Sequence, residues 1–392
     1  MRVAVVVLAS LFPLVASADP GPAPIVGGTD APFGKWPDVA AVYATDGVQT
    51  CTGTLIGPTV VLTAGHCTVD PLGSVLIGTN SLVKKLEGET IKVTKVVAYA
   101  DYERTFDVAV LVLERPSTRA PRTLASGWAT FDVKNGLDVT VAGWGAIDRN
   151  AQMFVNELKE AKVKITDADC SQRSPDDCNE LAKPAGELGA GGLGMPDTCP
   201  GDSGGPMYLE TEMGTFLVGV TSRGYFRNVY DCSEGGVYVR PEKVTNWIRE
   251  VSGAEIALGP EPSVPDKLTA VRGHAADAEI EHNDPKSNKH TFAITKQPKF
   301  GEAAVRDDGH LRVCTDPGVV GMDSLELSIT DQNDPTRKLE YVVAIEVTDG
   351  DAADSCDVDD FDSGGCCDSG RSAGGSLPLG IGVLLVLRRR RR

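Results

Sequence analysis

Between Ile25 and about Val251 the chain is built of short segments of alternating apolar and polar residues, punctuated by Gly, Pro and Asn. A period of two puts successive side chains on opposite faces of a strand. TVVLTAG, IKVTKVVAYA, LDVTVAG and FLVGVTSRG therefore read as strands separated by turns. The stretch ends in EKVTNWIREV, where Val244, Trp247, Ile248 and Val251 recur at helical spacing just after Pro241. Many short strands followed by one terminal helix predict an all-β barrel architecture.

The 392 residues exceed one ordinary domain, and a hydrophobic share of 41% is enough for packed cores. A net charge of -17 excludes a nucleic-acid partner, because phosphate would be repelled. The first residues read as a signal peptide: Arg2, the apolar run VAVVVLASLFPLV, and the small residues Ala16-Ser17-Ala18 at the cut. A membrane anchor is the alternative, but the run is short for one. Ten cysteines behind such a leader point to disulfides in an oxidising compartment.

Three short motifs carry chemistry. TAGHC places His66 beside Cys67, FDVAVLVL places Asp107 at the head of an apolar strand, and CPGDSGGP sets Ser203 among glycines. Acyl transfer from a hydroxyl needs a base, and imidazole is that base near neutral pH. The base needs a buried carboxylate to fix its tautomer, and the oxyanion needs aimed N–H donors that glycine-rich backbone supplies. His66 is the only histidine before residue 274. Asp101 competes with Asp107, but Asp107 directly precedes the apolar run.

With IVGG at Ile25, these motifs resemble the trypsin-like serine proteases, and the resemblance spans Ile25 to about Val251. It implies two six-stranded antiparallel β-barrels with the site in the cleft between them. It implies a catalytic triad of His66, Asp107 and Ser203, oxyanion donors at the N–H groups of Gly201 and Ser203, and no cofactor or metal. Asp197, six residues before the nucleophile, matches the floor of the primary specificity pocket. A shielded carboxylate there selects Arg or Lys; the alternative is an exposed loop acid. Ser222, Gly224 and Gly236 match the pocket walls. By the same resemblance Cys51 pairs with Cys67, Cys170 with Cys178 and Cys199 with Cys232. A Cys314–Cys356 bridge is possible but no motif supports it.

Two departures stand out. Arg223 replaces the Trp of the family's Ser-Trp-Gly edge, which predicts a neighbouring subsite turned toward acidic residues. An insert, Tyr225 to Asp231, precedes Cys232 and could narrow the cleft or supply an exosite.

In this family a freed amino group pairs with the acid beside the nucleophile, here Ile25 with Asp202. The residue before Ile25 is Pro24, so a trypsin-like enzyme cannot easily make the cut. The spacer Asp19 to Pro24 reads Asp-Pro, Gly-Pro, Ala-Pro. It fits stepwise removal by a dipeptidyl peptidase that stops at Ile25, and equally an extended spacer cut at Pro24 by another activating peptidase.

GPEPSVPD, Gly259 to Asp266, marks the end of a linker of residues 253–264 and leads into a second β region, residues 265–349. There Leu325, Leu327 and Ile329 alternate, as do Tyr341, Val343, Ile345 and Val347. The region resembles bacterial Ig-like or cadherin-like modules, which implies a small β-sandwich acting as spacer or binder. Its aspartates form no complete calcium loop. Residues 350–372 are acidic and Gly/Ser-rich and contain Cys366-Cys367. Residues 373–392 join a short apolar segment to Arg388–Arg392. The arrangement resembles the C-terminal sorting signals of myxobacterial surface proteins, implying sorting machinery as a partner; a tail anchor is the alternative.

Overall fold

A computed structural model of the chain describes residues 24–171, 177–182, 185–226, 228–353 and 356–359. The expected signal peptide, most of the spacer, Cys366, Cys367 and the Arg cluster lie outside the described residues. Among the described residues there are two compact units. One runs to Ser263 and includes 281–290 and 330–339; the other takes Val264–Ile280, Thr291–Ile329 and the residues from Glu340 on.

The first unit holds two barrels. Strands β1 (Val39–Ala44), β2 (Gln49–Gly57), β3 (Val60–Thr63), β4 (Leu72–Ile77), β5 (Glu89–Ala98) and β6 (Ala109–Leu113) close in the order β1-β2-β3-β6-β5-β4. Strands β7 (Asp138–Gly143), β8 (Lys159–Asp167), β9 (Glu187–Ala190), β10 (Pro206–Thr211), β11 (Gly214–Gly224) and β12 (Gly236–Val239) form the second ring, β10-β7-β8-β9-β12-β11, which pairing of β10 with β11 closes. All pairings within both rings are antiparallel.

The alternation in sequence becomes a division of labour between cores. In β1, Ala40 and Val42 fill the first barrel, while Val39, Ala41 and Tyr43 face the cluster shared with the second. Val61 points inward and Val60 and Leu62 outward; Val141 and Ala142 divide the same way in the second barrel, as do Met207 and Tyr208. Strands buried on both faces thus glue the barrels together, which fixes the cleft between them. Asp38, fully buried, reinforces the seam: it accepts Arg122 Nε at 3.0 Å and the Tyr208 hydroxyl at 2.5 Å. Helix α1 (Thr245–Ser252) follows a 3₁₀ turn begun by Pro241 and ends at Gly253 in the left-handed region (φ 65°). Its Ile248 is buried in the shared cluster, and Trp247 packs edge-on to Tyr99.

The second unit contributes to two small sheets. Strands β13 (Lys267–Val271), β14 (Ala275–Glu279), β15 (His290–Lys296), β16 (Gly301–Val305), β17 (His310–Thr315), β18 (Gly321–Asp331) and β19 (Lys338–Thr348) give sheets ordered β13-β19-β18-β15 and β14-β17-β16. Leu325, Leu327, Ile329, Val343, Ile345 and Val347 are buried, as their alternation predicts, whereas Tyr341 is half-buried. The pattern did not reveal β13 and β14. AADAE in β14 buries no face fully, so it carries no apolar alternation to read.

All three disulfides implied by the resemblance are present, and Cys314–Cys356 joins them. Each closes a loop and stabilises by roughly 2–4 kcal/mol through the unfolded chain.

Candidate active site

His66 sits in the 3₁₀ turn Gly65–Thr68 that follows β3, and Asp107 ends the loop leading into β6. Because β3 pairs with β6, the two residues meet at one end of the first barrel. His66 Nδ1 lies 2.8 Å from Asp107 Oδ2, and the His66 backbone N–H donates to Asp107 Oδ1 at 2.9 Å. From the second barrel, Ser222 Oγ donates to Asp107 Oδ2 at 2.7 Å. Burial alone would push the Asp107 carboxyl up, but the hydrogen bonds from His66 and Ser222 prevail and hold it below the usual carboxylate range. The carboxylate is therefore ionised at neutral pH, and it fixes the ring with Nε2 toward the cleft. Asp101, the competing acid, instead pairs with Arg104 on the surface. The His66 side chain is 40% exposed, so its free edge is open to substrate.

The loop that carries Ser203 is held against the strand before His66 by a backbone that only glycine permits. Gly204 has φ +78°, and a Cβ there would stand 2.1 Å from Thr63 Oγ1 and 2.5 Å from Ala64 N, two residues before His66. Thr52 N donates to Ser203 O at 2.9 Å, pinning the loop to β2. Gly204→Ala is expected to cost about 3 kcal/mol or more in urea unfolding, through backbone strain plus overpacking. A loss below about 1 kcal/mol would show that the loop is free to move. Among the described residues Ser203 Oγ makes no hydrogen bond to His66, and the N–H groups of Gly201 and Ser203 have no acceptor. The expected nucleophile and both expected oxyanion donors are thus uncommitted among the described residues. Gly201 has φ +99° and packs on Gly145.

Asp197 is 3% exposed, so it is no loose surface acid. Its Oδ2 accepts the N–H groups of Ser233, Glu234 and Gly235 at 2.9, 3.2 and 3.0 Å, and Oδ1 accepts Thr198 N at 2.9 Å. Burial pushes its carboxyl up, and these four N–H groups only partly offset that. A cation beside it would relieve the cost. Gly224 and Gly236 pair across β11 and β12. A Cβ on Gly236 would strike Arg223 O at 2.6 Å, so the close approach of the two strands demands glycine there. A Cβ on Gly224 would lie 3.0 Å from Asn228 Nδ2, which places the insert over that wall. The insert is anchored by buried Tyr225, whose hydroxyl donates to Ala190 O at 3.2 Å, while Phe226, Val229 and Tyr230 are exposed.

Ile25 is fully buried in the second barrel's core even with Pro24 attached, and its φ of +34° is strained for a β-branched residue. Asp202 is also fully buried. Its oxygens accept Gly145 N at 2.7 Å and Cys199 N at 2.9 Å, and no cation pairs with it among the described residues. Burial, the N–H groups and the nearby charge of Asp197 leave its carboxyl pushed up to about 7. Val26 O accepts Asp197 N at 3.0 Å, so the Ile25 segment is directly tied to Asp197.

Arg223 departs from its expected role. Its fork is held by Glu187, NH1 to Oε1 at 2.8 Å and NH2 to Oε2 at 3.0 Å, and it also donates to Ser222 Oγ and Asp177 O. A buried carboxylate already neutralises this cation, which removes the ground for a subsite tuned to acidic residues. The sequence reading missed Glu187 and Asn179. Neither lies in a motif that carries chemistry, although Glu187 opens a short buried strand. A cavity of about 340 Å³ is lined by His66, Tyr102, Glu103, Asp107, Asn179, Ser222 and Arg223.

The family model described as Trypsin matches residues 25–248. A trypsin of Saccharopolyspora erythraea is 34% identical over 209 residues, covering 51% of this chain and 86% of its own. Glucanase inhibitor protein 3 of Phytophthora infestans is 32% identical over 240 residues, covering 58% and 88%. Among solved structures, neuropsin, a serine protease of mouse brain, is 27% identical with a TM-score of 0.47, covering 57% of this chain and 98% of its own.

Proposed function

Because the chain belongs to the trypsin family of serine proteases, we propose that it is a secreted endopeptidase that cleaves after Arg or Lys through an acyl-enzyme. The observation that carries this is the Asp107–His66 pair at 2.8 Å, with Ser203 held in the adjoining glycine turn. His66 Nε2 takes the Ser203 proton as Oγ attacks the peptide carbonyl, and the oxyanion settles on the N–H groups of Gly201 and Ser203. The protonated His66 then gives its proton to the leaving amine, which departs. Water, deprotonated by the same ring, attacks the ester and releases the acid and free Ser203. Asp107 stays ionised throughout and stabilises the imidazolium.

Asp197 supports preference for a cation. Three of its four N–H partners fall on Oδ2, leaving acceptor capacity on Oδ1. Secretion rests on the leader and on the disulfides. An activating peptidase frees Ile25, by stepwise X-Pro trimming or by a cut at Pro24. The C-terminal segment directs the product to the cell surface, possession of an Ig-like spacer holding the protease off it. Among the described residues no helix is long and apolar enough to cross a membrane.

A second reading has one observation behind it: several relatives are named glucanase inhibitor proteins, so a protease fold can serve as an idle binding protein. A fluorophosphonate probe separates the two. The matured chain is expected to be labelled at Ser203 and to hydrolyse Arg and Lys peptides over Phe peptides. Asp197→Ser should cut kcat/KM for Arg substrates about 100- to 1,000-fold, the loss of one shielded ion pair. An unlabelled matured protein would leave the binding role in its place.

A further inference from the structure

Ser222 and Arg223 are neighbours in β11, and in a regular pleat their side chains leave opposite faces. Here the pairing of β11 with β12 shifts register between Thr221 and Arg223. Such an irregularity re-aims side chains, and Arg223 NH1 comes to lie 2.9 Å from Ser222 Oγ. A guanidinium only donates, and a hydroxyl has a single proton. With Arg223 donating to Ser222 Oγ, the hydroxyl proton is left for Asp107 Oδ2, 2.7 Å away.

The far end of this relay is anchored. Glu187 has a side chain only 1% exposed, and it accepts both arms of the Arg223 fork together with Asn179 N at 2.7 Å. Asn179 Nδ2 in turn donates to Thr105 O at 2.6 Å, two residues before Asp107. Two hydrogen-bonded arms therefore leave Glu187 and converge on Asp107, one through Arg223 and Ser222, the other through Asn179 and the backbone of its own loop.

We infer that Arg223 and Glu187 are positioning residues for the catalytic carboxylate, acting through the Ser222 hydroxyl. The inference rests on the peptidase reading above. A fork clamped on both arms cannot rotate away, so Ser222 is held as a donor to Asp107, and Asp107 is held against the imidazole. A hydroxyl that accepts from a cation is also a stronger donor. Arg223 thus works on the reaction from behind the carboxylate rather than by touching substrate.

The test is a double-mutant cycle with Arg223→Lys and Ser222→Ala, using a single-residue Arg amide too short to reach Arg223. Lysine keeps a cation opposite Glu187, so no buried carboxylate is stranded, but a point donor cannot hold Glu187 and Ser222 in one fixed fork. In the matured chain R223K is expected to lower kcat about 10-fold with KM unchanged, the worth of one charge-assisted hydrogen bond. In the S222A background R223K should have no further effect, because its route to Asp107 is gone. Unchanged kcat in R223K, additive losses in the double variant, or an effect seen only with longer peptides would each overturn the inference while leaving the peptidase reading intact. No turnover by the matured wild-type chain would instead remove the peptidase reading, and this inference with it.

Discussion

Ser203→Ala in the matured chain is expected to lower kcat on Arg peptides by about 10⁴- to 10⁶-fold, with KM changed by less than about threefold. The hydroxyl takes part only once the carbonyl is attacked, so its loss falls on the transition state and not on ground-state binding. Ser203 Oγ contributes nothing to packing that alanine would disturb, since among the described residues it makes no hydrogen bond. His66→Ala should cost a similar factor, and the double variant little more than either alone, because the two act as one unit. A residual rate of S203A above about one hundredth of wild type would mean that another group performs the attack.

Freeing Ile25 is expected to raise the melting temperature near pH 7 by about 10 °C. In the intact chain Asp202 is buried with no cation paired to it among the described residues, and its carboxyl is pushed from 3.8 up to about 7. Between about pH 4 and 7 the folded chain therefore keeps a proton that the unfolded chain has released. Stability falls as pH rises across that window, by roughly 4 kcal/mol in all. A freed ammonium on Ile25 reverses this, since an opposite charge beside Asp202 favours its ionised form. The measurement uses S203A to prevent autolysis, with P24R to let added trypsin cut before Ile25. Calorimetry from pH 4 to 8 should show melting falling with pH in the uncut chain and not in the cut one. In the uncut chain D202N should abolish the slope. Equal slopes before and after cutting would show that Asp202 does not receive the new terminus.

Much of this site was legible because its chemistry is carried by local motifs. TAGHC, FDVAVLVL and GDSGG each fix a backbone geometry within a few residues, and the catalytic types leave few candidates. The alternation in IKVTKVVAYA likewise announced β5, because burial on one face writes itself at period two. Where burial was weak, as in β14, the sequence held no such record.

Pairings between distant segments left less trace. Arg223 read alone is an exposed cation beside a subsite, and its sign predicted a preference for acids. Its meaning changed once β9 brought Glu187 within 3.0 Å, because a charge acts according to its nearest counter-charge and its exposure to water. Glu187 itself carries no motif; only the register of β9 against β12 and of β12 against β11 sets it there.

The sequence by itself determined the strand rhythm and the candidates for nucleophile, base and supporting acid, since these depend on residue type and short-range spacing. Tertiary structure alone decided which groups are desolvated together: Asp202 with no cation beside it among the described residues, Asp197 under four backbone N–H groups, and Arg223 locked between Glu187 and Ser222. Hydrogen bonding and electrostatics act over a few ångströms of space, and folding, not chain order, sets those distances.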